Sequence, residues 1–123
     1  MLLCDEIVAD PIQPNKFELR GLIHAIRLKE PIRLPAVIDQ LCVLLYLTGG
    51  RGVGNLQIVG LEADTDREVF GSLHYRIEYP PDPLELVTRS FRLRQCIVPR
   101  PGLCWIQLKH NGRTLTEQPL TVR

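Results

Sequence analysis

The chain has no run of about 18 apolar residues, so it holds no membrane-spanning helix. Its longest apolar stretch, Leu41–Leu47, is only as long as a strand. There is no basic lead at Met1-Leu2-Leu3-Cys4-Asp5-Glu6, and acids interrupt the apolar residues at once, which argues against a signal peptide. No C-x-x-C is present. The four cysteines, Cys4, Cys42, Cys96 and Cys104, are widely spaced, and the expectation is four reduced, mostly buried thiols in a cytoplasmic protein. Lysine is scarce, three against twelve arginines, and the net charge is only +1. That balance excludes a strongly basic nucleic-acid module, and the 45% apolar content excludes a disordered tail. At 123 residues the chain suffices for one domain, spanning 1–123, that can bury a core without staples.

Proline and glycine, ten and nine, are spaced so that few segments can hold a long helix. Between them lie short runs rich in β-branched and aromatic residues. Leu3–Ala9 is the first predicted strand, ended by Asp10-Pro11 and Pro14-Asn15. Phe17–Arg27 is the second, with a bulge or bend at Gly21. Glu30–Pro35 reads as a crossover loop. Leu41–Thr48 is apolar on both parities, which predicts a central strand with both faces covered. Leu56–Glu62 and Val69–Tyr79 form a predicted hairpin around Ala63–Asp66. In the second arm Leu73, Tyr75, Ile77 and Tyr79 share one parity. Leu84–Arg89 fits either a short helix or a strand. Phe91–Val98, Leu103–Lys109 and Leu115–Val122 complete the set. Pro99–Gly102 and Asn111-Gly112 are the turns between them, and Pro119 marks an edge strand. Seven to eight short antiparallel strands in this length predict an all-β sandwich, with one possible short helix near 84–89.

Several of these segments also carry a family resemblance. They are Cys4-Asp5, Lys16-Phe17-Glu18-Leu19-Arg20-Gly21-Leu22, Pro35, Leu47-Thr48-Gly49, Pro101-Gly102-Leu103-Cys104-Trp105, Asn111-Gly112 and Leu120-Thr121-Val122. In this order the chain resembles a group of small bacterial immunoglobulin-like β-sandwich proteins catalogued only as a domain of unknown function. The resemblance spans nearly the whole chain and implies a fold, with no activity, cofactor or catalytic residue. One departure stands out: the family pattern places an aromatic two residues after the Pro-Gly turn, where this chain has Cys104.

The residues that could carry chemistry do not assemble into a motif. Gly49–Gly54 matches neither G-x-G-x-x-G nor a phosphate loop, and it leads into a strand, where an anion-binding loop leads into a helix. His24, His74 and His110 have no spacing that pairs them with a cysteine. No ligands cluster for a metal, and Asp64-Thr65-Asp66 lacks the rest of a calcium loop. The expectation is therefore no enzyme, no cofactor and no metal.

Two binding features remain. Residues 1–88 carry 8 basic and 13 acidic side chains, whereas residues 89–123 carry 7 basic and 1 acidic. Arg92 and Arg94 share one parity of one strand. If the Leu103–Lys109 strand pairs with theirs across the Pro-Gly turn, Trp105 and Gln107 stand beside them as a partner- or ligand-binding face. The alternative turns Trp105 into the core. The second feature is the Cys42, Leu44 and Tyr46 face. It is covered either within the chain or by a second copy, in which case it is a dimer face. These features point to a protein partner or to self-assembly, with no nucleic acid and no membrane. The runner-up is a module gripping an anionic or sugar-like small ligand, and an enzyme of unidentified mechanism is a distant third.

Overall fold

A computed structural model describes residues 1–13 and 16–123. Pro14 and Asn15, part of the turn predicted after the first strand, lie outside the described residues. Among the described residues there are ten strands and no helix. The strands are β1 (Leu2–Ala9), β2 (Phe17–Leu22), β3 (Ala25–Ile26), β4 (Ala36–Leu47), β5 (Val53–Glu62), β6 (Glu68–Gly71), β7 (Tyr75–Glu78), β8 (Val87–Val98), β9 (Gly102–His110) and β10 (Arg113–Val122). They form two sheets. One has four strands in the order β2-β1-β4-β8, and the other has the order β3-β10-β9-β5-β6 with β7 also pairing β5. Every pairing is antiparallel except the short parallel contact of β3 with β10.

One core lies between the sheets. Leu3, Leu41, Val43, Leu45, Leu47 and Leu93 enter it from the four-stranded sheet. Leu56, Ile58, Ile106, Leu108 and Leu120 enter it from the other. Alternation along each strand makes this possible, because successive side chains take opposite faces of a pleated strand. In β4 and β8 the alternation slips once. Leu41 and Leu93 face the core, and so do Ile38 and Cys96, which are an odd number of residues away. Gln95 takes a left-handed backbone (φ 52°), and Arg94 and Gln95 are both exposed in succession. The paired strand shows the same slip at Asp39-Gln40, so both strands re-aim together and the register survives.

The ambiguous Leu84–Arg89 segment contains no helix. Asp82 accepts the Leu84 amide at 2.9 Å on Oδ1 and the Glu85 amide at 3.1 Å on its backbone carbonyl, making a turn that feeds β8 at Val87. The predicted Val69–Tyr79 strand is broken into β6 and β7. Ser72 takes over the bonding there: its hydroxyl accepts the Ile58 amide at 2.9 Å, and its own amide donates to the Ile58 carbonyl at 2.8 Å. The register on β5 shifts by one across the break, from Val59 opposite Gly71 to Leu56 opposite Tyr75. Leu73 therefore leaves the buried parity and is 89% exposed, while Ile77 stays buried.

The glycines from Gly49 to Gly54 have two causes: Gly49 and Gly52 take left-handed backbone (φ 79° and 69°), and Gly50 and Gly54 are required by packing. A Cβ on Gly50 would collide with the Tyr79 ring, and one on Gly54 would meet His110 Nε2 at 2.7 Å. Tyr79 and His110 stack at a tilt with centroids 5.9 Å apart, so the bare backbone makes room for two rings at this end of the core. Within β2, Gly21 takes φ +66°, and a side chain there would run into the Asp5 carboxylate.

Candidate functional site

The basic row is built by β8. Phe91 and Leu93 turn toward the core, so Ser90, Arg92 and Arg94 turn outward on the far face of the four-stranded sheet, opposite Leu44, Cys42 and Gln40 of β4. Both Arg92 and Arg94 are exposed. β8 itself carries no acidic residue. Among the described residues no carboxylate lies within salt-bridge distance of either arginine; the ion pairs formed are Arg20 with Glu6 and Glu18, Arg76 with Glu78, and Arg100 with Glu62.

Trp105 and Gln107 do not join this row. The strand that carries them, β9, pairs with β5 on one side and β10 on the other, and not with β8. The Pro99–Pro101 turn carries the chain from one sheet to the other. Cys104, Ile106 and Leu108 face the core, so Trp105 and Gln107 face out from the six-stranded sheet, on the opposite side of the molecule from Arg92 and Arg94. The predicted four-residue face is thereby corrected to two separate places. Trp105 is half-buried between Leu61 and Pro119, its partners in register. Gln107 is held by its neighbours: its Nε2 donates to Glu117 Oε2 at 3.0 Å, and the Thr114 hydroxyl donates to its Oε1 at 3.3 Å. Cys104 at the aromatic position of the family pattern points into the core and is buried.

The Cys42, Leu44 and Tyr46 face divides in a different way. Cys42 and Leu44 are each only 1% exposed within a single chain, whereas Tyr46 is 46% exposed. Cys4 is opposite Cys42 and Leu2 opposite Leu44 on β1, so the closed part of this face is a small apolar layer on the outer side of the sheet. The Cys42 thiol donates toward the Asp5 carbonyl at 3.5 Å, and the Gln40 amide donates to the same carbonyl at 2.9 Å. Burial, and then the neighbouring Cys42 thiol, push the Cys4 thiol above its ordinary range. All four cysteines are free and buried.

Sequence reasoning missed two features. β8 is the edge of its sheet: β4 pairs it along eleven residues, and among the described residues no strand pairs its other side. The only edge signal in the sequence, Pro119, is in β10, which is not the outermost strand of its sheet: the short β3 pairs it at Thr121 and Val122. The other feature is a groove of about 430 Å³ between the start of β4 and the Arg27–Pro35 crossover, lined by Leu28, Ile32 and Val37 together with Arg27, Lys29, Arg33 and Asp39. Among the described residues no group of three or more His, Cys, Asp or Glu is placed to hold a metal.

The fold and site together define an all-β, two-sheet protein with an unpaired arginine row on a sheet edge. Over residues 1–123 the chain matches the model of a family of unknown function, DUF6941, and it belongs to that family. No curated protein and no solved structure matches it.

Proposed function

We propose that this protein is a non-enzymatic, cytoplasmic binding module, an immunoglobulin-like sandwich that recognises an acidic polypeptide through Arg92 and Arg94. The observation that carries the reading is the arginine pair itself. Two exposed guanidinium groups stand two residues apart on one face of a strand without any acidic residue, and neither is spent on an ion pair. Exposed ion pairs add little to stability, so such a row costs the fold almost nothing to keep free. Arginine offers five fixed donors for bidentate contact with carboxylates, and an unopposed positive row raises association rates with acidic partners.

The test is the double change Arg92→Glu with Arg94→Glu. The variant should keep the wild-type circular dichroism and melting temperature. Partners recovered by wild type and identified by mass spectrometry should be purified and titrated with both proteins between low and high salt. Wild-type affinity should fall with salt, and the variant should not bind. A folded variant that binds the same partners with the same salt dependence would sink the proposal.

A second reading, a small-anion module, is favoured by one observation: the groove has the volume of a ligand pocket, and its lining carries three cations, Arg27, Lys29 and Arg33, against one acid, Asp39. A thermal-shift screen against carboxylates and phosphates tests it. No stabilisation at a hundredfold range of concentrations would remove it.

A further inference from the structure

Strand β8 is twelve residues long, and it is bonded to β4 on one side only. Among the described residues, none of its residues takes part in a backbone bond to a loop or to another strand on the free side. In an antiparallel strand alternate residues turn their N–H and C=O groups away from the existing partner, so β8 presents a row of donors and acceptors outward. At one end Arg89 Nη1 donates to the Thr88 carbonyl at 2.8 Å. At the other end the left-handed Gln95 interrupts the pleat. Between them Ser90–Arg94 is regular and extended, and among the described residues no strand is hydrogen-bonded to its outer side. Across the seam β6 comes alongside β8 without hydrogen bonding to it.

The side chains of this open stretch differ on its two faces. Arg92 and Arg94 stand on the outer face. Phe91 and Leu93 stand on the inner face, and Phe91 makes a T-shaped ring contact with Tyr75, centroids 5.7 Å apart and planes at 80°. A strand added here would place its outward residues beside the arginines and its inward residues beside Phe91 and Tyr75. Cross-strand neighbours of opposite charge attract and like charges repel. We infer that the free edge of β8 takes up an extended segment of another protein in which glutamate or aspartate alternates with apolar residues, the acids pairing with Arg92 and Arg94. This rests on the acidic-partner reading and adds to it the geometry of binding, strand addition, and the alternation required of the partner.

A second copy of this chain is the poorer occupant. Antiparallel pairing of β8 with itself would bring Arg89, Arg92 and Arg94 of both copies into one short stretch, six positive charges with no acid among them. Pairing with the opposite edge, β2, would offer only Glu18, which already holds Arg20 at 3.2 Å. Arginines on an edge keep like edges apart, and the same charge makes the edge selective for an acidic one.

The experiment uses the full chain and a capped octapeptide of alternating glutamate and valine. Two further peptides of the same sequence carry N-methyl groups on alternate amides, one in each phase. The parent peptide should bind in a calorimetric titration. One methylated peptide should bind at least tenfold more weakly and the other should bind like the parent, since only one set of amides faces β8. The double Arg→Glu variant should lose binding of all three. Equal binding of both methylated peptides would overturn strand addition while leaving the arginine row as an acid-binding site. Failure of the parent peptide to bind would also overturn this inference, and the titration with partners purified by capture would then decide the broader reading on its own. A concentration-dependent dimer that the peptide does not dissociate would assign the edge to a second copy and overturn the inference as well.

Discussion

Replacing Leu44 by alanine tests the covered layer on the outer side of the four-stranded sheet. Leu44 is 1% exposed, lies on the central strand β4, and is flanked in register by Leu2 of β1 and Ser90 of β8. If the chain alone covers it, removing its branched end leaves a cavity, and fully buried Leu→Ala changes cost about 2–5 kcal/mol. An unfolding entropy of about 2.1 cal/mol/K per residue gives roughly 0.26 kcal/mol/K for the 123 residues, so a loss of ~3 kcal/mol lowers the melting temperature by about 12 °C. Tyr46→Ala, two residues along the same face but 46% exposed, should cost under about 1.5 kcal/mol by the smaller area removed. Urea titration should show the midpoint for Leu44→Ala falling with an unchanged slope, and the loss should not depend on protein concentration. A loss below about 1 kcal/mol would refute the reasoning, and a loss that grows as the protein is diluted would show that a second copy shares in covering this layer.

Trp105→Ala should cost less than the roughly 3–5 kcal/mol of a core tryptophan, because the indole packs on the outer face of its sheet beside Leu61 and Pro119, and it should leave partner binding by Arg92 and Arg94 unchanged. Thermal melts with the same binding titration check both halves. All four thiols should react with a maleimide in the denatured chain and react slowly in the native one. Cys96 should lag, since burial pushes its thiol up to about 11 and leaves little thiolate at neutral pH; intact-mass measurement over time reads this. The Arg100 guanidinium, bonded to both Glu62 oxygens at 3.1 Å, and the Thr65 hydroxyl hold the Glu62 carboxyl below its ordinary range. A carboxyl depressed on folding contributes stability above its unfolded pKa and loses it as pH falls through the folded value. The stability difference between wild type and Arg100→Ala should therefore be present at neutral pH and vanish in acid, and a difference that is constant with pH would contradict the pairing.

Local pattern alone determined a large part of this protein. The absence of long apolar or helical stretches, together with runs of β-branched and apolar residues between prolines and glycines, was enough for an all-β chain with strands near their observed places. Pattern also placed Leu41–Leu47 at the centre of a sheet, because only a strand covered on both faces can be apolar on both parities. The Asn111-Gly112 turn joining β9 and β10 was likewise legible. Each depends on the chemistry of a few neighbouring residues. What local pattern could not reach was which strand lies beside which. Consecutive strands joined by a Pro-Gly turn usually pair, yet the Pro99–Gly102 turn carries the chain across the core to the other sheet. That single choice sends Trp105 and Gln107 to one side of the molecule and Arg92 and Arg94 to the other. It also leaves β8, among the described residues, with a hydrogen-bonded partner on one side only. The break at Ser72, which exposes Leu73, and the matched slips at Asp39 and Gln95 belong to the same class. They arise from register between segments distant in the chain, and packing the two sheets around a shared core decides that register.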